Sequence, residues 1–245
     1  MKIIQPLFAL LLIVGCASTT ETSAPPAPVQ VATPQLDRSA HWLRNSAEYK
    51  AVVWQTYNVA SARLREIAAM REKGTWAVAL DADETIIDNS AYEKELTLKG
   101  LKSTDELWDG WVARRAAPPL PGVAEFLELV HGLGGYIAVV TNRIDQHCPD
   151  TQANFRAFDL PFDVILCRQG DRRKEPRWEM VANGTASPDL PPLEIVMWLG
   201  DNIRDFPDLD QDVRFESGEG FQEFGRRYFA LPNPVYGSWT GNPQN

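Results

Sequence analysis

Short runs of consecutive apolar residues alternate with segments of helical periodicity along most of the chain. The apolar runs occupy residues 76–80, 136–140, 164–166 and 195–199, and helical patterns fill 46–74, 122–131, 151–158 and about 174–182. Strands that are apolar on both faces and alternate with helices are typical of a parallel sheet covered on both sides. The pattern therefore predicts an α/β fold with a doubly wound parallel sheet.

The alternation is interrupted directly after the first apolar run. Residues 89–119 contain no clear strand, and they carry Tyr92, Trp108 and Trp111. A segment inserted at this point lies over the carboxyl ends of the strands, where open α/β sheets place their ligands. We therefore expect a small, mostly helical cap at about 89–119.

Length and charge narrow the functional classes. The chain has 245 residues, 44% of them hydrophobic, and a formal net charge of −9. This is enough for one domain of ordinary size. The acidic balance argues against a nucleic-acid polymer as partner, because proteins that bind one carry a basic surface. A phosphorylated substrate would have to meet a locally positive site, such as a metal ion with Lys or Arg.

Polar residues of chemical interest follow each apolar run. The first run leads into "DADET" at residues 81–85, the second into "TNR" at 141–143, the third through a loop to Lys174, and the fourth into "GDNIRD" at 200–205. Each segment alone is also typical of an ordinary turn or helix cap. Because the carboxyl ends of parallel strands meet at one edge of a sheet, the four together predict one site.

Asp81 and Asp83 suit a two-step transfer of a phosphoryl group. Residues two apart in an extended strand point to the same face, so both carboxylates can reach one site. One carboxylate can attack phosphorus and form an aspartyl-phosphate. The other can protonate the leaving oxygen and then activate water.

Phosphoryl transfer also needs positive charge. Carboxylates such as Asp81 and Asp201 are hard oxygen ligands that suit Mg²⁺. Lys174 would add a point charge on the phosphoryl oxygens, and Thr141 would add a hydroxyl donor. Asp205 could bind the metal, orient a metal-bound water or hold Lys174, and the sequence leaves these roles open.

These motifs resemble those of the haloacid dehalogenase superfamily, with "DADET" as D-x-D-x-T and "GDNIRD" as G-D-x-x-x-D. The stretches "LDADETIIDNSAY", "WLGDNIRDF" and "LPNPVYGSWTG" are similar to the bacterial class C acid phosphatases of the lipoprotein e type. The resemblance runs from about residue 46 to residue 241. It implies a Mg²⁺-dependent acid phosphatase at the cell surface that hydrolyses small phosphate monoesters, often 5′-nucleotides, and family habit points to a homodimer.

The resemblance also implies a role for each site residue. Asp81 is expected to be the nucleophile, and Asp83 the acid/base with its backbone carbonyl on the metal. "GDRRKEP" departs from the usual lysine motif of the family, so Arg172 or Arg173 could share the role of Lys174. The implied catalytic residues are Asp81, Asp83, Thr141 and Lys174, and the implied metal ligands are Asp81, Asp83, Asp201 and Asp205.

Trp108 in the cap and Tyr236 in the tail fall where aromatic residues of the family hold a nucleoside base. Stacking tolerates any base, which would give broad nucleotide specificity. Packing within the cap or core is the alternative role for both residues. Asn142 and Arg143, next to Thr141, are further candidates for substrate binding.

The first residues have the pattern of an export signal. An apolar run over residues 7–14 follows Lys2 and is too short for a membrane span. The ending "IVGC" resembles a bacterial lipobox, so we expect residues 1–15 to be a lipoprotein signal peptide and Cys16 to carry lipid; a plain secretory signal is the alternative. Ala17 resembles the outer-membrane sorting pattern, which favours a lipid anchor in the outer membrane of the cell envelope.

Residues 16–36 are rich in Ser, Thr, Pro and Ala, a composition that predicts a disordered tether. This leaves 37–245 as the phosphatase domain.

Two further cysteines, Cys148 and Cys167, lie near predicted strand ends. An exported compartment permits a disulfide between them. The alternative is two small buried apolar residues, and only the geometry decides.

Two other functions are compatible with the sequence. A phosphotransferase would use the same scaffold to pass phosphate to an acceptor alcohol. A surface binding lipoprotein would keep a vestigial site, although the complete polar set argues against decay of the chemistry.

Overall fold

The structure is a computed structural model that describes residues 34–244. The predicted signal peptide at 1–15, the predicted lipidation site at Cys16 and most of the predicted tether lie outside the described residues. Within 34–244, no helix combines the length and the apolar character that crossing a membrane requires.

Five parallel strands form one sheet in the order β3-β2-β1-β4-β5. This confirms the predicted parallel α/β sheet. All five residues of the central strand are buried, as expected for a strand that is covered on both faces. The strands are β1 (Trp76–Leu80), β2 (Tyr136–Ile144), β3 (Val164–Arg168), β4 (Glu194–Gly200) and β5 (Tyr228–Ala230).

Seven α-helices and five 3-10 turns complete the described chain. The α-helices are α1 (Arg38–Asn45), α2 (Ala47–Ala68), α3 (Ser90–Lys99), α4 (Asp105–Val112), α5 (Val123–Gly132), α6 (Cys148–Ala157) and α7 (Glu175–Ala182). The 3-10 turns are Asp145–His147, Ile203–Asp205, Gln211–Phe215, Gly218–Phe221 and Ser238–Gly241. Helices α3 and α4 lie between β1 and α5, within the segment predicted as the cap.

Alternate residues of β1 belong to two hydrophobic cores. Val78 and Leu80 belong to the cluster that contains Tyr57 and Phe126, from α2 and α5. Ala77 and Ala79 belong to the cluster that contains side chains of α7 and β4. A sheet buried on both faces holds its strand ends firmly, so the loops at those ends can position polar side chains.

Strand β2 extends beyond the predicted residues 136–140. Residues 141–143, expected just after the strand, lie inside it, because β2 pairs again with β3 at Ile144 and Arg168. The register is irregular between Val140 and Ile144. The backbone between these two residues is therefore not held in regular pairing with β3, at the carboxyl end of the sheet where the polar residues were predicted to meet.

Cys148 and Cys167 are joined as a disulfide, with their Cα atoms 5.9 Å apart. The bond links the first residue of α6 to β3. It therefore ties the segment after β2 to the neighbouring strand, close to the polar edge of the sheet.

Candidate active site

A turn at the end of β1 brings two acidic residues to the same cavity. The Asp81 N–H donates to the Leu199 carbonyl at 3.0 Å, which continues the strand pairing by one residue. The chain then turns back, with the N–H groups of Ile86 and Ile87 donating to the Ala82 carbonyl. Ala82 is fully buried, so its side chain does not share the cavity that Asp81 and Asp83 line.

A cavity of about 1320 Å³ lies at the carboxyl ends of the strands. The four sequence segments that were predicted to converge all reach it. It is lined by every catalytic, metal-binding and substrate-binding candidate of the domain: Asp81, Asp83, Trp108, Thr141, Asn142, Arg143, Lys174, Asp201, Asp205 and Tyr236.

Lys174 is a buried cation in the wall of this cavity. Its Nζ lies 2.6 Å from Oδ1 of Asp81 and 2.6 Å from Oδ1 of Asp205. Burial lowers the pKa of Lys174, but Asp205 and Asp81 outweigh it and raise the pKa overall. The side chain therefore stays protonated and can meet a phosphoryl oxygen as a charged donor.

Three carboxylates are clustered here, and two of them contact this ammonium group. Carboxylate oxygens of Asp81, Asp201 and Asp205 lie within 4.8 Å of one another. Burial raises the pKa of Asp81 to about 7. The charge of Lys174 acts in the opposite direction, while the negative charges of Asp205 and Asp83 add to the rise. Burial also raises the pKa of Asp201 well above its ordinary value. Lys174 offsets only one of these charges, so the oxygen-only donor set fits a divalent cation of the hard type.

Neighbouring groups orient the outer ligands of this cluster. Asn233 donates to Oδ2 of Asp201 at 2.8 Å, and the Asn202 N–H donates to Oδ2 of Asp205 at 2.9 Å. A Cβ added to Gly200 would overlap the Asp205 carboxylate, so the glycine of "GDNIRD" allows the close approach. Asp205 thus lies where it can bind a metal and also holds Lys174.

Asp83 is held by two donors from other parts of the chain. Arg143 Nε lies 3.1 Å and 3.0 Å from the two carboxylate oxygens, and its Nη2 lies 2.7 Å from Oδ1. Asn89 Nδ2 donates to the same Oδ1 at 2.7 Å. The acid is therefore fixed in orientation at the cavity wall.

The three residues of the "TNR" segment have different hydrogen-bond partners. Arg143, a candidate for substrate binding, lines the cavity, and its buried guanidinium is bonded to Asp83 and Thr151. The Thr141 hydroxyl accepts from the Arg143 N–H at 3.2 Å, which leaves its own hydrogen available as a donor. Asn142 Oδ1 accepts from Arg177 at 2.8 Å, which leaves the amide NH₂ for another partner.

Arg177 supports residues of the cavity wall, and the sequence analysis did not identify it. It is buried in the first turn of α7, and it donates to the carbonyls of Thr141, Leu166 and Arg173. These contacts join β2, β3 and the loop before Lys174. The sequence shows only an arginine three residues after Lys174, and nothing in it indicates that the arginine is buried or which carbonyls it binds.

The loop arginines considered as helpers of Lys174 are exposed. Arg173 forms an ion pair with Asp171 at 2.5 Å, and both Arg172 and Arg173 line the cavity. Lys174, which is 2% exposed, is the residue that contacts the acidic cluster.

Aromatic side chains line the outer part of the cavity. Trp108 packs edge-on against Tyr92 at 5.4 Å, and the Arg143 guanidinium lies 5.4 Å from the Trp108 ring centroid. Tyr236 is 36% exposed, and its carbonyl accepts from the Trp239 indole N–H at 3.2 Å. One side of Trp108 is thus packed against Tyr92. The rings of Trp108 and Tyr236 both border the space available to a substrate.

Comparisons with known proteins agree with this geometry. Residues 13–239 match the family described as HAD superfamily, subfamily IIIB (Acid phosphatase). The class C acid phosphatase from Bacillus anthracis is 29% identical, with a TM-score of 0.76 over 87% of this chain and 92% of that chain. Its structure with tungstate bound gives 28% identity and a TM-score of 0.75, over the same shares of both chains.

Proposed function

The chain belongs to the acid phosphatases of the HAD superfamily, subfamily IIIB, and from this we propose that it hydrolyses phosphate monoesters through a covalent aspartyl-phosphate at Asp81. It is a phosphomonoesterase by family, and its substrates are small phosphorylated molecules. One observation carries the mechanism: Asp81 and the buried Lys174 ammonium face the same cavity, in contact at 2.6 Å. The nucleophile and the charge that steadies the phosphoryl group are therefore adjacent.

Two steps then follow from the positions of the acids. An Asp81 carboxylate oxygen attacks phosphorus, the bond to the ester oxygen breaks, and Asp83 gives its proton to the departing alcohol. Asp83 next takes a proton from water, whose oxygen attacks phosphorus and releases phosphate from Asp81. Lys174 and the Thr141 hydroxyl hold phosphoryl oxygens during both steps.

We propose Mg²⁺ as the divalent cofactor. Asp81, Asp201 and Asp205 would hold it, and the Asp83 backbone carbonyl would add a fourth protein oxygen. When bound, the ion would offset the charge of the buried carboxylates and of the phosphoryl group. A donor set made only of oxygen atoms is the kind that Mg²⁺ prefers in proteins.

We propose nucleoside 5′-monophosphates as substrates. Trp108 and Tyr236 border the outer cavity, where stacking would accept any base. The tetrahedral oxyanion bound by the related Bacillus anthracis enzyme, tungstate, supports a site shaped for phosphate.

We further propose that the enzyme is a lipid-anchored protein of the outer membrane. The lipobox pattern that ends at Cys16 supports this, together with the polar segment that follows it. Retention of a lipid label by the wild type, and its loss in Cys16→Ser, would test the anchor. The proposed homodimer is tested by sedimentation of a chain that lacks the signal peptide.

The enzymatic proposal is tested by phosphate release from a panel of nucleoside monophosphates and simple phosphate esters. The assay is run with a chelator and then with Mg²⁺, Mn²⁺ or Ca²⁺ restored. We expect release to stop with the chelator and to return with Mg²⁺. Full activity in the chelator would overturn the metal requirement, and equal rates on all esters would overturn the nucleotide preference.

A further inference from the structure

Asp83 has one carboxylate oxygen that is heavily bonded and one that is not. Oδ1 accepts from Arg143 Nη2, Arg143 Nε and Asn89 Nδ2 at 2.7, 3.1 and 2.7 Å. Among contacts within the described chain, Oδ2 accepts only from Arg143 Nε, at 3.0 Å. The surrounding donors therefore fix Oδ1, and Oδ2 is the oxygen with more acceptor capacity left for another partner.

Asn89 stands between Asp83 and the inserted helices. Its Oδ1 accepts from the Trp111 indole N–H at 2.8 Å, while its Nδ2 donates to Asp83. An indole nitrogen only donates, so the carbonyl end of the amide must face Trp111. A flipped amide would set NH₂ against the indole N–H and a carbonyl against the carboxylate, which is repulsive at both ends.

The side chain of Asn89 bonds Asp83 and does not cap the helix that follows it. Asn89 occupies the N-cap of α3, where an Asn side chain usually bonds the first turn, yet it makes no capping bond. A side chain that is 1% exposed and withheld from its own helix points to a purpose at Asp83.

Trp111 lies in α4, within the segment between β1 and α5. It is 5% exposed, and it packs against Tyr92 at 6.1 Å between ring centroids. Besides this packing, its indole N–H makes a buried hydrogen bond to Asn89.

We propose that Trp111 and Asn89 form a positioning relay that orients Asp83 for proton transfer. Helix α4 sets the Trp111 N–H, the N–H sets the amide of Asn89, and the amide fixes Oδ1 of Asp83. The relay rests on the proposed function of Asp83 as acid and base. Neither Trp111 nor Asn89 touches the reacting atoms, so both are positioning residues.

Trp111→Phe removes the indole N–H and keeps an aromatic ring. Trp198→Phe is the matched control, because Trp198 is 7% exposed and its N–H has no hydrogen-bond partner within residues 34–244. Each variant is assayed on p-nitrophenyl phosphate, whose leaving group departs without a proton, and on a nucleoside monophosphate, whose alkoxide needs one. Binding of tungstate and the thermal transition are measured on the same samples.

We expect Trp111→Phe to lower kcat/KM, which reports only the step in which the leaving group departs, about tenfold on the nucleotide and less than about threefold on the nitrophenyl ester, with tungstate affinity unchanged. Trp198→Phe should leave kcat/KM on both esters close to that of the wild type. An equal loss of kcat/KM on both esters, or no loss, would overturn the relay. If Trp111→Phe fails to fold, Asn89→Ala must give the same selective loss or the relay is wrong. A wild type inactive on both esters would instead overturn the proposed function itself.

Discussion

Lys174 and Asp205 form an ion pair that is nearly sealed from solvent. Nζ and Oδ1 lie 2.6 Å apart, and the two side chains are 3% and 5% exposed. They come from the loop before α7 and from the 3-10 turn after β4. Since Asp81 contacts the same ammonium, one cation joins three segments of the site.

Replacing Lys174 with Met should therefore cost both stability and activity. Removing one partner of a buried pair leaves uncompensated charge and costs about 3–5 kcal/mol. Urea denaturation of the metal-free protein near neutral pH measures this loss. Lys99→Met is the control, because Lys99 pairs with Glu95 at an exposed surface where such pairs contribute about 0–1 kcal/mol. Equal losses in the two variants would contradict a structural role for the buried pair.

Asp81→Asn should abolish phosphate release while the fold is retained. The amide cannot attack phosphorus as a carboxylate does, so we expect a fall of at least about 10³-fold. Rapid acid quenching and mass spectrometry should find phosphate on the Asp81 peptide of the wild type and not of the variant.

Asp88→Asn is the control for Asp81→Asn within the same segment. Asp88 accepts from the Ser90 N–H at 2.7 Å and does not line the cavity. The Asp88→Asn variant should therefore lower the rate of phosphate release only a few-fold. Turnover close to that of the wild type in Asp81→Asn would rule out the covalent mechanism.

The sequence predicted those features that a local pattern encodes. Four apolar runs located four of the five strands, and "DADET" and "GDNIRD" located the acids, because both motifs follow strands directly. Strand β5 was missed since its three residues are too few to show periodicity. The end of β2 was misplaced because pairing with Arg168 of β3 extends the strand past its apolar run.

The partners of the site residues could not be predicted in the same way. Arg143 and Asp83 are 60 positions apart in the chain, and nothing near either residue indicates that they pair. The carbonyls bound by Arg177 belong to the backbone, which leaves no trace in residue types. Contacts of this kind depend on how strands and loops are packed. The sequence therefore indicates the chemistry of the site but not the residues that hold the catalytic side chains in place.

The stability of the metal-free protein should fall as the pH rises. Burial raises the pKa of Asp81 to about 7 and that of Asp201 well above its ordinary value of 3.8, to which both return on unfolding. The folded protein thus binds protons more tightly, and the stability that these groups contribute is complete below about pH 4 and is lost as the pH rises through about 7.

Thermal unfolding in a chelator at about pH 5.5 and about pH 8 measures this effect. A loss of about 2 kcal/mol corresponds to a Tm that is lower by about 4–8 °C at the higher pH. Saturating Mg²⁺ should remove most of the difference, because it stabilises the ionised ligands in the folded state alone. Asp81→Asn should show a smaller difference in the chelator. A Tm that rises with pH in the metal-free wild type would contradict the assignment.

Arg177→Lys should weaken phosphate binding more than it slows turnover. The guanidinium reaches the Thr141 carbonyl through one terminal nitrogen and Asn142 Oδ1 through the other, whereas a lysine offers a single point donor. Without the second bond the Asn142 amide is no longer oriented, so the hydrogen bond that we expect its NH₂ to donate to the phosphoryl group should be lost. We expect KM and the Kd for tungstate to rise about tenfold, with kcat lowered about threefold or less.

The control for Arg177→Lys is Arg71→Lys, at a forked pair with Glu194 that lies outside the cavity. This variant should leave the Kd for tungstate unchanged. Combining Arg177→Lys with Asn142→Ala should raise Kd no further than Asn142→Ala alone, since the arginine acts through the amide. Additive increases would show that Arg177 acts on phosphate by another route, such as its charge near Asp81.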